Sequence, residues 1–218
     1  MILYGSSLSP YVRKVLAYAG EKGIELELQP TGSVPGQPSD EFREASPLRK
    51  MPALRDDDFT VADSSAIIQY LEARFPDPAL IPTDARMRGR VIWFEEFSDT
   101  VLTTCGAKMF YNRVVLPRFF GKPGDEQAAS DAECQEMPPL LDYLETVVPE
   151  PGEFLVGGKI SLADIAVASP FPNLEHMGCA RDQARHRRVY AYVDSILSRP
   201  SFAAWVQRET AFLGKQAA

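Results

Sequence analysis

The chain holds 218 residues, a length that fits one large domain or two modest ones. Hydrophobic residues make up 45% and charged residues 24%, a globular balance that excludes a disordered tail, a fibrous repeat or a collagen-like chain. Lys plus Arg number 23 against 30 Asp plus Glu, and the net charge of −7 argues against a general affinity for nucleic-acid backbones or anionic membranes.

In chain order, Ile2 to Tyr4 is a brief apolar run that leads through GSSLSP into a helical pattern over residues 10–23. Val12, Val15, Leu16 and Ala19 share one face of that helix at i, i+3, i+4 and i+7. Residues 24–28 (IELEL) alternate with period two, as a half-buried strand does. Residues 31–39 (TGSVPGQPS) have loop composition. Ala53-Leu54 and Phe59-Thr60-Val61 flank Arg55 and three aspartates, which predicts a short hairpin with a solvated turn rather than a metal site. An amphipathic helix carrying Ile67, Ile68, Tyr70 and Leu71 follows and ends before Pro76. The order is β-α-β, a loop, then β-β-α, a small mixed α/β layer.

After residues 76–84 (PDPALIPTD) the pattern turns helical. A long helix is expected over 84–116 and another over 126–148, the latter bent or divided by Pro138-Pro139. Ser161-Leu162-Ala163-Asp164 reads as a capping box opening a third, which Pro170 and Pro172 kink or end. Helices near 183–198 and 201–213 complete the chain. The basic stretch Arg181 to Arg188 reads as a loop and an exposed helix start, because no aromatic stacking platform accompanies it.

No run approaches the roughly 18 consecutive apolar residues of a membrane span. MILYGSSLSP lacks a basic n-region, so a secretory signal is not expected and the expected location is the cytoplasm. Cys105, Cys134 and Cys179 are an odd, widely spaced set that suits neither a disulfide framework nor a zinc site.

Three local signals bear on chemistry. Ser9-Pro10 stands at a strand-to-helix turn, with a favoured N-cap followed by a proline at the first helical position. This is an ordinary helix start. It is equally a hydroxyl beside exposed N–H groups and the positive end of a helix, a good place for an anion. Met51-Pro52 enters the hairpin, where proline at the first residue of a strand is commonplace. Asp63-Ser64-Ser65 opens the second helix as an ordinary cap, and would also suit an amino acid, its ammonium on Asp63 and its carboxylate at the helix N-terminus.

In this order and spacing the three resemble the glutathione transferase superfamily over essentially the whole chain. Residues 46–54 (SPLRKMPAL) are similar to the family's stretch around its cis-proline. Residues 63–71 (DSSAIIQYL) are similar to its acidic-Ser helix start, and 158–164 (GKISLAD) to its N-capping box. The resemblance implies a thioredoxin-like domain with a mixed four-stranded sheet over 1–76, binding glutathione. It implies an all-α helical bundle over 84–218 that supplies a second-substrate pocket. The serine-type classes (phi-, tau- or zeta-like) are the nearest in pattern.

The resemblance further implies that Ser9 donates a hydrogen bond to the glutathione sulfur, as the catalytic residue. Met51, with Met51-Pro52 cis, would contact the peptide backbone of the cysteinyl part. Asp63 and Ser64 would hold the γ-glutamyl end, and Lys50 would approach the glycyl end. Tyr4, Ser6 and Ser7 are competing positions for the role of Ser9, Tyr4 foremost because the tyrosine-type classes use a tyrosine near the end of the first strand. Phe97, Cys105, Met109, Phe110 and Tyr111, with Phe212 near the C-terminus, are the expected second-substrate lining. The expected protein is a cytoplasmic homodimer with no metal, acting in detoxification on a small apolar electrophile. Other glutathione-dependent chemistry (isomerisation, dehalogenation, thioether cleavage) and a non-catalytic binding role are the alternatives.

The sequence departs from the family pattern twice. Asp63 stands where Glu is usual, one methylene shorter. Residues 36–39 (GQPS, with Gln37) carry no base for a glycyl carboxylate, which predicts modest glutathione affinity. Serine rather than cysteine at position 9 excludes a thiol-reductase cycle through that residue.

Overall fold

The computed structural model describes residues 1–31 and 39–215. The first half is a four-stranded mixed sheet, β1 (Ile2–Tyr4), β2 (Glu27–Gln29), β3 (Ala53–Asp56) and β4 (Phe59–Ala62), in the order β2-β1-β3-β4. β1 runs parallel to β2 and antiparallel to β3, and β3 pairs antiparallel with β4. Period-two alternation sorts its side chains. Leu3 and Leu54 face the main core with Val12 and Val15 of α1 (Pro10–Glu21) and Ile67, Ile68 and Leu71 of α3 (Ser64–Arg74). Tyr4 and Ala53 face the other way, onto Phe42 and Ala45 of α2 (Asp40–Ala45).

Two details correct the sequence expectation. Residues 24–26 are not strand. Gly23 turns the chain with φ +67° and Ile24 N–H returns to the Ala19 carbonyl at 2.9 Å, so pairing with β1 starts only at Glu27. Ile24 and Leu26 still pack on the core from irregular backbone. The helix α2 has only six residues, too few for periodicity to reveal, and is capped by Ser39 Oγ accepting from Phe42 N–H at 3.2 Å. The predicted loop is otherwise outside the described residues, as are Gly36, Gln37 and Pro38.

The rest of the described chain is helical. α4 (Ala85–Glu96) widens into a π-helical stretch (Phe97–Leu102), continues as α5 (Thr103–Phe110), and widens again over Tyr111–Phe119 around Pro117. The predicted helix over 126–148 is α6 (Glu126–Asp131) and α7 (Met137–Val147), joined by a widened turn just before the proline pair. There the prolines sit in the first turn of α7, where no amide donor is needed. α8 (Leu162–Ala168) starts at Ser161, whose N–H and Oγ both reach the buried Asp164 Oδ2 at 2.8 and 2.9 Å. α9 (Phe171–His176) follows, then α10 (Arg187–Leu197) and α11 (Pro200–Lys215). The fold class is the expected one, a thioredoxin-like layer followed by helices. Among the described residues no helix is long and apolar enough to cross a membrane.

Buried ion pairs join the halves along α1. Arg13, fully buried, donates to both carboxylate oxygens of Glu209 on α11 (Nε to Oε1 at 3.1 Å, Nη2 to Oε2 at 2.5 Å) and to the Ser169 carbonyl. At the other end of α1, Glu21 receives Arg199 through two bonds of 2.7 Å. The start of α1 is thereby fixed against the helical half.

Candidate active site

The turn from β1 to α1 depends on Gly5. A Cβ there would lie 2.6 Å from Val12 Cγ2, closer than real contacts allow, so only glycine lets strand and helix approach this tightly. The turn closes with Ser9 N–H on the Ser6 carbonyl at 2.9 Å. From the helical half, buried Asn173 donates Nδ2–H to the Leu8 carbonyl at 2.9 Å. Ser9 is the N-cap residue of α1 and half-buried, and its side chain makes no cap hydrogen bond. Its backbone is thus held on both sides, and its hydroxyl is not committed to its own helix.

Beside this turn lies an open cleft of about 700 Å³. Its walls bring together Lys50, Met51, Pro52, Asp63 and Ser64, all five of the sequence-predicted binding residues. The Met51-Pro52 peptide is cis. The Pro52 carbonyl accepts from Asp63 N–H at 3.3 Å, tying this bend to the start of α3. Asp63 has φ +81°, a left-handed backbone seldom adopted outside glycine and concentrated at functional sites. Its Oδ1 accepts from the Ser65 and Ala66 amides at 2.9 and 3.3 Å, so two of the N–H groups at this helix start are already occupied. Ser9 is not among the cleft walls; Tyr11, two residues further along α1, is.

The helical half contributes Glu96, Asp99 and Thr100 to the cleft, residues that the sequence reading missed along with Tyr11 and Ser65. Tyr11 donates its hydroxyl to the Asp99 carbonyl at 2.9 Å. Burial, with the charges of Asp99 and Asp63, raises the Tyr11 phenol, so it stays protonated. Beneath the cleft the fully buried Lys14 binds Glu95 Oε1 at 3.0 Å and also Asp99, while Ser65 Oγ reaches Glu95 at 2.8 Å. Burial raises the Asp99 carboxyl, with Lys14 pulling the other way. A readable signal was present: Glu95 and Asp99 are like charges at i, i+4, which destabilises a helix unless a cation sits between them. Among the described residues Lys50 is the only basic side chain lining this acidic cleft.

The expected second-substrate lining is distributed differently. Phe97, Cys105 and Met109 belong to the main core, and none of them lines the cleft. Phe97 packs edge-on against Tyr143 at 5.1 Å, and Cys105 Sγ lies 3.6 Å from the Ala132 carbonyl. Phe110 instead joins Leu8, Val114, Phe119 and Leu213 in a separate apolar cluster. Tyr111 is half exposed, and Phe212 stacks on Phe119 at 6.1 Å. Since Leu8 precedes Ser9, the buried Phe110 cluster packs next to the serine turn.

Of the rival positions, Tyr4 is buried against Phe42, with its hydroxyl accepting from Arg55 Nε at 3.3 Å. Ser6 and Ser7 are half-buried in the turn. Burial pushes the Cys105 thiol up to about 11 and the Cys179 thiol up to about 12, so both are protonated at neutral pH. Asp56 is not a solvated turn residue as expected: it accepts from Tyr70 Oη at 2.6 Å and pairs with Arg74 at 3.1 Å, while Asp57 and Asp58 are exposed. Among the described residues no three His, Cys, Asp or Glu converge as metal ligands.

Residues 3–79 match the family described as glutathione S-transferase, N-terminal domain, and residues 113–209 match glutathione S-transferase, C-terminal domain. The chain is 32% identical to human glutathione S-transferase theta-1 over 215 residues, covering 98% of this chain and 83% of that protein. It is 30% identical to a rat maleylacetoacetate isomerase over 193 residues, covering 81% of this chain and 84% of the relative. A solved glutathione S-transferase from Methylobacterium radiotolerans, in complex with glutathione sulfonate, superposes with a TM-score of 0.76 at 26% identity, covering 94% and 93% of the two chains. One from Rhodospirillum rubrum superposes at 0.82 with 24% identity, covering 94% and 90%.

Proposed function

The chain belongs to the glutathione S-transferase superfamily and is a glutathione-using enzyme, and on that premise we propose that Ser9 activates the thiol of bound glutathione for attack on a small apolar electrophile. The observation that carries the reading is a hydroxyl at a helix start, fixed by the Leu8 and Ser9 backbone contacts yet bonded to no amide of its own helix.

A free thiol with a pKa near 8.5 is only about 3% thiolate at pH 7. A hydrogen bond to a charged group contributes roughly 1.5–3 kcal/mol, equivalent to about one to two pKa units. One serine hydroxyl therefore brings the thiol pKa to about 6.5–7.5, and with the positive end of α1 raises thiolate from a few per cent to a substantial fraction at pH 7. No histidine base is required. Tyr11 is not a competing donor, because its proton is already directed to Asp99.

The rest of the tripeptide follows the cleft. The free oxygen of Asp63 receives the γ-glutamyl ammonium, since the other oxygen caps α3. Ser64 takes the adjoining carboxylate. Met51 meets the cysteinyl backbone beside Pro52, and Lys50 meets the glycyl carboxylate. With one basic residue there, affinity for glutathione is modest. The electrophile lies against exposed Tyr111 and Phe212, at the margin of the buried Leu8 and Phe110 cluster. Residues 1–76 act as the glutathione-binding unit and 84–218 as the unit that selects the second substrate. The working form is a cytoplasmic homodimer engaged in detoxification, with exposed Phe59, Met87 and Trp93 as surface for the second copy.

The test is turnover with glutathione against a panel of apolar electrophiles for Ser9→Ala, Ser6→Ala, Ser7→Ala and Tyr4→Phe. Ser9→Ala alone lowers kcat/KM, by about 10- to 150-fold; an equal loss in any of the other three would move the role to that residue. A second reading, glutathione-dependent isomerisation, is favoured by the similarity to a protein named maleylacetoacetate isomerase. It uses the same thiolate, and predicts turnover without consumption of glutathione.

A further inference from the structure

The Ser9 hydroxyl oxygen has one rotation of its own, about the Cα–Cβ bond. The rest of its position is inherited from the two peptide planes that flank the residue. The plane between Ser9 and Pro10 is held within α1, where its carbonyl accepts from Arg13 N–H at 2.9 Å. The plane between Leu8 and Ser9 is held at both ends. Its N–H donates to the Ser6 carbonyl at 2.9 Å, and its carbonyl accepts from Asn173 Nδ2 at 2.9 Å. Of these bonds only that of Asn173 comes from a side chain, and it reaches across 165 residues from the helical half.

Asn173 can fix this plane because its own surroundings are fixed. Every residue from 161 to 173 is buried. Four residues before Asn173, the Ser169 carbonyl accepts from Arg13, so one segment grips the start of α1 at two points. A carbonyl partner admits only the NH2 end of an amide, which places Nδ2 toward Leu8. The other end, Oδ1, is buried without a hydrogen-bond partner. An unpaired buried acceptor costs as much as or more than a typical hydrogen bond returns, so Asn173 is a poor choice as a stabiliser of the fold. Its worth lies in where it holds Leu8.

Taking Ser9 as the activator of the thiol, we propose that Asn173 is a positioning residue for that step, aiming the Ser9 hydroxyl by fixing the Leu8–Ser9 peptide. Asn173 is 3% exposed, so its influence on a bound thiol passes through that peptide rather than through contact with the ligand. Hydrogen bonds weaken steeply with misalignment, and a clamp one residue away from the donor governs its alignment. The helical half thereby takes part in thiol activation as well as in the choice of second substrate.

The test is a double-mutant cycle of Ser9→Ala and Asn173→Leu in the full-length protein. It is read by the thiolate absorbance of bound glutathione against pH, by the affinity for glutathione, and by denaturant unfolding. Leucine is close to asparagine in size and removes the donor together with the unpaired oxygen, so the unfolding midpoint stays near that of the unaltered protein. The pKa of the bound thiol rises by about half a unit to one unit, while glutathione affinity stays within about twofold. In the Ser9→Ala background, Asn173→Leu moves the thiol no further, because no hydroxyl is left to aim. Should the leucine variant fail to fold, Asn173→Ala, which removes the donor without adding bulk, is read in the same way. A thiol pKa unmoved by the change at Asn173, a change confined to glutathione affinity, or an equal shift with and without Ser9 would overturn the positioning role and leave Ser9 in place. No shift in Ser9→Ala itself would instead overturn the assignment of Ser9, and the role of Asn173 with it.

Discussion

The two helices of the first half that reach the cleft, α1 and α3, begin with residues of the same capping type, and they use them in opposite ways. At α3, Asp63 turns one carboxylate oxygen onto the amides of Ser65 and Ala66. Ser39, Asp84 and Asp125 do likewise at α2, α4 and α6. At α1, Ser9 has the extended backbone of an N-cap (φ −77°, ψ 124°) but bonds to no amide of its helix. Pro10 supplies none at the first position, and the turn is held instead by the Ser6 and Leu8 carbonyls and by the buried Arg13. Asp63 divides its carboxylate, one oxygen on its helix and the other left for a ligand, whereas the single oxygen of Ser9 is spent on no amide of its helix.

The largest effect should come from removing what substitutes for the cap. Burial alone would raise the Glu209 carboxyl, but the Arg13 guanidinium, with His176 at 3.2 Å, more than offsets it and holds the group below the ordinary carboxylate range. A depressed carboxylate stabilises the fold fully above its unfolded pKa of about 4.5 and loses that contribution as pH falls through the lower folded value. Glu209→Gln strands Arg13 as a buried unpaired charge and should cost about 3–5 kcal/mol at neutral pH by denaturant unfolding, with a flatter stability profile below pH ~4.5. A loss under about 1 kcal/mol would mean that α1 is anchored by other contacts.

Ser9→Ala should then separate the two starts. Activity falls about 10- to 150-fold while stability changes by no more than about 0.5 kcal/mol, because no cap bond is lost. Asp63→Ala should do something different, lowering stability by about 1 kcal/mol and weakening glutathione binding together. Asp63→Asn sharpens the distinction further. It keeps the cap, so unfolding shifts by only a few tenths of a kcal/mol, yet it removes the charge and should raise KM for glutathione by about tenfold. Calorimetry beside steady-state kinetics measures both; a stability loss in Ser9→Ala as large as that in Asp63→Ala would erase the contrast.

Much of this was legible in the residues. Leu3, Leu54, Val12, Val15, Ile67 and Ile68 follow the periods of strand and helix, so the layer they build could be read directly, as could the Ser161–Asp164 box. Lys50, Met51, Pro52, Asp63 and Ser64 meet in one cleft because the hairpin and the start of α3 are neighbours in both sequence and space. What escaped depends on contacts across the chain. Tyr11, Glu96 and Asp99 become cleft residues only because Lys14 draws α4 onto α1 and α3, a pairing 81 and 85 residues apart. Phe97 and Met109 looked like pocket residues by their place on a long helix, but both are buried in the main core by packing partners distant in sequence, such as Tyr143 against Phe97. The difference between Ser9 and Asp63 was equally hidden, since both read as good caps and only the partners of their oxygens tell them apart.

The claim that the Ser9 hydroxyl serves a sulfur rather than a helix is tested most directly by the ultraviolet absorbance of bound glutathione thiolate as a function of pH, in the unaltered protein and in Ser9→Ala at saturating glutathione. The account predicts an apparent thiol pKa about one to two units below the free value near 8.5, returning most of the way in Ser9→Ala. Superimposable titration curves for the two proteins would contradict it.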